Sequence, residues 1–227
     1  MGIGIPITAA PPVVQSAPPV SAIPAAKQAR RTTRFRISFF NAFPPSLIYP
    51  AQSAVMKATL EVINQVQADG VIGKYAIGGA VGAIFYLEPS ATLDIAIFVT
   101  LQNVPGSSLL TLAPIYDYLV ARGFKIEKEY VIIAGWQVQF LPPGNPLEQE
   151  ALDQAVATEV DGLKTCVMTA EHLVAIALKT ARPKDFARIL QFIDAGVLDT
   201  NKLDQILSRH GLLEKWEHFG DKFLGNL

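Results

Sequence analysis

The sequence has few of the residues that build disulfide frameworks and metal clusters. It contains one cysteine, Cys166, and three histidines among 227 residues. A single cysteine excludes an internal disulfide framework and a thiolate zinc cluster. The histidines lie far apart in the sequence, so none of them forms the H-E-x-x-H pair of a zinc protease. The low cysteine content fits a reducing, cytoplasmic setting.

Charge and long apolar runs are also scarce. Charged residues make up 17% of the chain, the net charge is −1, and the isoelectric point is about 6.3. A near-neutral chain is not a nucleic-acid binder by bulk charge. No stretch has the length of a membrane-spanning helix, which predicts a protein without a membrane partner. Half of the residues are apolar, which is enough for a substantial core in a chain of this length.

The first fifty residues differ in composition from the rest. They contain 9 of the 16 prolines, five basic residues and no acidic residue, whereas the remainder carries 14 basic and 20 acidic residues. Because proline interrupts helices and central strands, residues 1–50 are predicted to be a disordered Pro/Ala-rich segment. Three interpretations compete for it: an organellar transit peptide, a Pro-rich linker or ligand, and non-native upstream sequence with the natural start at Met56.

From residue 56 onwards, β-prone runs alternate with helical apolar stripes, as in an α/β domain. The predicted fold is a small mixed β-sheet flanked by helices over 56–170, with a helical extension over 171–227. Two or three helices are expected within 170–222. Helices are predicted over 55–67, 80–87, 109–119, 147–157 and 170–181, strands over 75–77, 94–99, 125–129 and 131–141, and a hairpin over 160–168 that turns at Asp161-Gly162.

One stretch has a recognisable chemical order: a strand, a Gly-Gly turn, a helix, and a second strand that begins with an aspartate. Gly78 and Gly79 form the turn, Asp94 opens the second strand, and Thr92 lies two residues before it. Glycine lets the backbone approach a ligand closely, and backbone amides at such a turn hold phosphate groups. The purely structural alternatives are an ordinary turn and a locally paired aspartate. The combination favours a functional site.

This order resembles the nucleotidyltransferase fold of the DNA polymerase β superfamily, in which a Gly-Gly or Gly-Ser turn opens a helix and an Asp-x-Asp pair follows on the adjacent strand. The segment from Glu171 to Phe186 is similar to the "leucine–x–x–lysine … arginine–x–lysine–aspartate" segment of the AbiEii-type minimal nucleotidyltransferases. The resemblance covers about residues 56–195. The structural alternative for Arg182, Lys184 and Asp185 is an ion pair between two helices.

The resemblance implies an NTP-dependent transferase that moves a nucleotidyl group to a hydroxyl of RNA or protein. Asp94 would be the catalytic residue and the ligand of Mg²⁺. Gly78, Gly79, Thr92 and Lys179 would bind the nucleotide. By analogy with the AbiEii group, the expected partners are NTP, tRNA or another RNA, and a cognate antitoxin protein, and the biology would be toxin-like.

Two positions depart from the family pattern. Ala96 stands where the second carboxylate is expected, and Gln139 on a later strand matches the third. Because Mg²⁺ is held by carboxylate and phosphate oxygens, these losses favour a second hypothesis. It is a pseudoenzyme that binds nucleotide, RNA or a protein partner without turnover. Glu127, Glu129 and Asp161 would complete the metal site only if they faced the cleft.

Overall fold

The computed structural model describes residues 50–89, 92, 94–102 and 111–225, which fall within one unit. The prediction of disorder before residue 50 lies outside them, as do residues 109–110 of a predicted helix. The helices are α1 (Pro50–Ala68), α2 (Gly79–Ile84), α3 (Ala113–Ala121), α4 (Pro146–Asp153), α5 (Ala170–Thr180), α6 (Pro183–Ala195), α7 (Thr200–Arg209) and α8 (Leu213–Phe223). The strands are β1 (Ile72–Gly78), β2 (Asp94–Leu101), β3 (Lys125–Glu127), β4 (Tyr130–Ile133), β5 (Trp136–Leu141), β6 (Val156–Val160) and β7 (Leu163–Val167).

The seven strands form one mixed sheet in the order β3-β4-β5-β2-β1-β7-β6. Strand β1 pairs antiparallel with β2 and parallel with β7, and β2 pairs parallel with β5. This arrangement confirms the predicted α/β fold with a mixed sheet flanked by helices. The division into 56–170 and 171–227 stays a prediction. No helix in the described residues combines the length and the apolar character needed to cross a membrane.

Each face of the sheet carries its own apolar core, because successive strand residues point to opposite faces. Ile95 and Ile97 of β2 are fully buried on one face, together with Leu60 of α1. Phe98 of β2 belongs to the other core, with Leu173 of α5 and further residues of the C-terminal helices. Burial of a side chain of this size stabilises the fold by roughly 1.5–3 kcal/mol. The C-terminal helices therefore cover one face of the sheet.

The hairpin turns show where the strand predictions succeed and fail. The predicted Asp161-Gly162 turn is confirmed and joins β6 to β7. The strand predicted over 131–141 is wrong, because this stretch forms two antiparallel strands, β4 and β5. Ala134 and Gly135 between them have φ of +50° and +88°, the left-handed pair of a type I′ turn. The alanine there gives little sign of a turn in the sequence.

Two helical predictions also need correction. The helix predicted over 147–157 ends at Asp153, because Val156–Val160 pairs with β7 and sheet pairing outweighs local helix propensity. The part predicted to hold two or three helices, 170–222, contains four, α5 to α8. Left-handed residues interrupt it, including Ala181 with φ of +58° and Gly196 with φ of +65°.

A polar cluster joins α4, α5 and α7 within the helical layer. Glu150 accepts hydrogen bonds from Nε of Arg209 at 3.4 Å and from Nε2 of His210 at 2.7 Å. Nε2 of His172, whose side chain is fully buried, lies 3.5 Å from Oε1 of Glu150. The hydrogen bond from Arg209 is the main cause that lowers the pKa of Glu150 to about 2. Burial is the main cause that lowers the pKa of His172.

Acidification is therefore expected to weaken the fold in two steps. The stability contributed by neutral His172 is complete above its unfolded pKa of 6.5 and is lost as the pH falls below it. The stability contributed by ionised Glu150 is complete above its unfolded pKa of 4.5 and is lost as the pH falls towards about 2. Denaturant unfolding at several pH values should show a falling free energy of unfolding in both windows.

His172→Gln should remove the dependence that begins as the pH falls below about 6.5, because it deletes the group that titrates there. His218→Gln changes an exposed histidine of α8 and is the matched control, which should keep the wild-type dependence. An unchanged slope in His172→Gln would contradict the assignment to His172.

Candidate functional site

Three strands bring the predicted site positions to one edge of the sheet. Gly78, the last residue of β1, pairs with Ala96 of β2, and Ala96 pairs with Gln139 of β5. Asp94, the first residue of β2, pairs with Gln137. Because paired residues of neighbouring strands share a face, Asp94, Ala96 and the two glutamines project from the same face of the sheet. This is the face covered by the C-terminal helices.

The two glycines of the turn are needed for different reasons. A Cβ on buried Gly78 would come within 2.7 Å of the Phe98 ring, so a larger residue would displace that ring. Gly79 is exposed and has φ of +60°, a left-handed conformation that glycine adopts without strain. A Cβ there would sit 3.4 Å from Cβ of Ala96, so Gly79 borders the cleft. The following helix, α2, has six residues and is shorter than the predicted 80–87.

Asp94 is half-buried and its carboxylate is oriented by a neighbour. The Oγ1 hydroxyl of Thr92 donates to the backbone oxygen of Asp94 at 3.2 Å and to its Oδ1 at 3.4 Å. Thr92 therefore contacts the aspartate itself. Direct nucleotide binding by Thr92, and metal binding and catalysis by Asp94, stay predictions.

Two arginines, one at the N-cap of α6 and one within the helix, interact electrostatically with this carboxylate. Arg182 is the N-cap residue, whereas Asp185 and Arg188 lie three residues apart on one side of the helix. Asp185 is buried and accepts hydrogen bonds from Nε and Nη2 of Arg182, at 2.7 Å and 3.2 Å. Nη1 of Arg188 lies 3.9 Å from Oδ1 of Asp185. Asp94 interacts electrostatically with both guanidinium groups, and α6 packs in the same apolar core as Ala96, on the sheet face that displays Asp94.

The ion pair of Arg182 and Asp185 differs in position from the one considered in the sequence analysis. The Arg182–Asp185 pair lies within the first turn of α6, where it forms a capping box, rather than between two helices. The hydrogen bond to Asp185 raises the pKa of Arg182. Burial lowers the pKa of Arg188, although Asp185 and Asp94 act in the opposite direction. The group thus comprises two carboxylates, Asp94 and Asp185, and two guanidinium groups.

Lys179 occupies the exposed last turn of α5. Its backbone carbonyl accepts a hydrogen bond from Nζ of Lys215 in α8, at 3.4 Å. This contact fixes the backbone of the helix end and leaves the Lys179 ammonium group exposed. The predicted binding of nucleotide by Lys179 stays a prediction.

Two of the three carboxylates considered as replacement metal ligands, Glu127 and Asp161, lie away from Asp94. Glu127 is on β3, three strand spacings from β2, which amounts to roughly 14 Å at about 4.8 Å each. Glu129 is exposed between β3 and β4, and both Glu129 and Asp94 interact electrostatically with Tyr130. Asp161 precedes β7, and because β7 runs parallel to β1, it lies at the sheet end opposite Gly78. In the part of the chain that the structure describes, no group of three or more His, Cys, Asp or Glu residues could hold a metal ion.

These residues do not fit a resident Mg²⁺ site. Mg²⁺ is usually bound by one or two carboxylates together with substrate phosphates and several waters. Here Asp94 is accompanied by the methyl group of Ala96 and the neutral amide of Gln139. The guanidinium groups of Arg182 and Arg188 also oppose the approach of a dication electrostatically.

Arg188 and Gln137 belong to this site although the sequence patterns did not indicate them. The three-residue spacing of Asp185 and Arg188 is the signal that places these two residues on one side of a helix. Gln137 shares the face of Gln139 because it lies two residues earlier on the same strand. Sequence alone did not show that α6 packs over the sheet face that displays these residues.

Comparisons with known proteins give only weak likenesses. No known family profile matches the chain, and none of the curated proteins matches it. Among solved structures, an antigenic nucleotidyltransferase-like protein from Paracoccidioides brasiliensis is similar with 12% identity and a TM-score of 0.49, over 75% of this chain and 91% of that one. The antibiotic-resistance factor ANT(2'')-Ia is similar with 14% identity and a TM-score of 0.43, over 74% and 97% of the two chains. Neither likeness assigns an activity to this chain.

Removal of the Asp185 charge tests whether it holds the two arginines in place. Asp185→Asn should lower the free energy of unfolding by about 1–3 kcal/mol, because buried hydrogen bonds to a charged group are lost and Arg188 keeps no adjacent anion. Asp221→Asn changes an exposed aspartate of α8 and should shift the free energy by less than about 0.5 kcal/mol. If denaturant unfolding shows equal losses of the free energy of unfolding in Asp185→Asn and Asp221→Asn, the role of Asp185 in holding the two arginines is contradicted.

Proposed function

We propose that this chain is a nucleotidyltransferase-like protein that binds a nucleoside triphosphate in the cleft between Gly79, Asp94 and α6, without metal-dependent turnover. The observation that carries the proposal is the row formed by Gly78, Ala96 and Gln139 across three strands. The row brings together the positions at which the superfamily pattern has a phosphate-binding turn and carboxylates. The turn is kept, whereas two of the carboxylate positions hold a methyl group and an amide.

The groups lining the cleft suit a nucleotide. The exposed backbone at Gly79 allows a phosphate to approach closely. Guanidinium groups such as those of Arg182 and Arg188 pair with phosphate oxygens through parallel N–H donors. Asp94, oriented by Thr92, is an acceptor of the kind that a ribose hydroxyl can use. Phosphate and sugar thus each find complementary groups.

The same residues argue against turnover. Nucleotidyl transfer depends on cations and donors placed where negative charge develops in the transition state. Ala96 offers no oxygen ligand, and Gln139 offers a neutral one. Among Asp94, Ala96, Gln137 and Gln139, which share one face of the sheet, only Asp94 carries a carboxylate. It would therefore have to serve as both the metal ligand and the general base.

A second candidate is NTP-dependent transfer of a nucleotidyl group to a hydroxyl of tRNA, another RNA or a protein. This candidate includes the toxin-like role and the antitoxin partner. The observation that favours it is the hydrogen bond from Thr92, which holds the Asp94 carboxylate in a defined orientation at the cleft. Metal-dependent transfer would require a further carboxylate near Asp94, in addition to any that the described residues place there.

A substitution in the Gly78-Gly79 turn tests the proposed nucleotide binding. Titration with a fluorescent ATP analogue should show saturable binding to the wild-type chain. Gly79→Val should weaken it by roughly tenfold or more, since a branched side chain strains the left-handed turn and fills the approach to the cleft. Gly123→Val is the matched control, because Gly123 is also exposed with a positive φ of +85° but follows α3. Equal affinities of the two variants would contradict the proposed site.

The two candidates are separated by incubation of labelled NTPs with total cellular RNA and protein in the presence of Mg²⁺. The proposed binding function predicts no transfer of label by the wild-type chain. Transfer that Asp94→Ala abolishes would overturn it and establish the second candidate. Asp69→Ala, which changes an exposed aspartate at the end of α1, controls for loss of an unrelated carboxylate.

A further inference from the structure

Arg188 has an unusual environment for an arginine on a helix. Its side chain is 18% exposed, compared with 56% for Arg182 at the N-cap of α6. Within the described residues its nearest carboxylate oxygen is Oδ1 of Asp185, at 3.9 Å, which is too long for a hydrogen bond. Arg188 is therefore a largely buried cation without a close partner in that part of the chain.

The carboxylate of Asp185 is already engaged. Arg182 donates to both of its oxygens, at 2.7 Å and 3.2 Å, and the backbone amide of Arg182 donates to Oδ2 as well. A guanidinium group carries five N–H donors, and burial of such a group without partners is costly. Among the described residues, the engagement of Asp185 by Arg182 thus leaves the donors of Arg188 available to an anion.

A second carboxylate, Asp94 of β2, also interacts electrostatically with Arg188. Arg188 lies on α6, whose residues Ile189 and Phe192 pack in the same apolar core as Ala96. That core covers the sheet face that also displays Gln139. In an Asp-x-Asp site, a divalent cation lies between carboxylates and phosphates and offsets their repulsion. In this chain Ala96 replaces one of the two carboxylates, and the guanidinium group of Arg188 interacts electrostatically with the remaining one, Asp94.

We propose that Arg188 binds the phosphate groups of the nucleotide directly, in the electrostatic role that a metal cation has in an Asp-x-Asp site, so that nucleotide binding needs no divalent cation. The inference rests on the proposed nucleotide-binding function and adds to it the phosphate-binding residue and independence of metal. A guanidinium suits this role because it is always charged and matches two phosphate oxygens at once.

The test is a titration of the full chain with a fluorescent ATP analogue, in excess EDTA and again with Mg²⁺. The wild-type affinity should agree within about twofold between the two conditions. In EDTA, Arg188→Gln should bind roughly tenfold or more weakly, because a charge-assisted pair is lost. Arg122→Gln should match the wild type, since Arg122 is exposed on the far end of α3 and pairs with Asp69.

Arg188→Lys keeps the charge and gives up the paired donors, so it should bind more weakly than the wild type by about threefold or more in EDTA. If thermal unfolding shows that Arg188→Gln does not fold, the affinity of Arg188→Lys decides whether Arg188 binds the phosphate groups. Wild-type affinity in Arg188→Lys and Arg188→Gln, or wild-type binding that requires Mg²⁺, would overturn the role of Arg188 and leave the proposed function intact. Absence of wild-type binding in both buffers would instead overturn the proposed function.

Discussion

The site depends on the register in which β1, β2 and β5 pair. The pairing of Gly78 with Ala96 and of Ala96 with Gln139 brings the turn and the strand positions together. A slip of one residue along β2 would turn Asp94 to the other face, because side chains alternate along a strand. The buried residues Ile95 and Ile97 hold the register, since a slip would expose them. Packing on one face therefore determines the chemistry displayed on the other.

The helical layer supplies the other wall of the cleft. Asp185 at the start of α6 is the buried anion between two arginines, and it keeps Arg182 against the helix end through hydrogen bonds. Arg188 lies one helical turn further on and interacts electrostatically with Asp94 as well as with Asp185. The cleft is thus lined by a sheet edge with few carboxylates and a helix with two cations. Its composition suits a phosphate ligand better than a metal ion.

Local signals in the sequence predicted the elements better than their assembly. The Gly-Gly turn, the strand that opens at Asp94 and the hairpin turn at Asp161-Gly162 follow from turn chemistry and β-propensity, and the structure contains all three. The left-handed alanine at position 134 and the strand from Val156 were missed, because long-range pairing outweighs local propensity there. Arg188 was missed for a related reason: only the packing of α6 against the sheet edge gives it a role.

The measurement that tests the central claim most directly is a crystal structure of the chain with a non-hydrolysable ATP analogue, grown without divalent cations. Metal-independent phosphate binding predicts phosphate oxygens within hydrogen-bonding distance of the Arg188 guanidinium, with the Gly79 backbone beside them. Phosphates bound elsewhere would contradict it. So would a complex that forms only when a divalent cation is added and that holds the cation on Asp94.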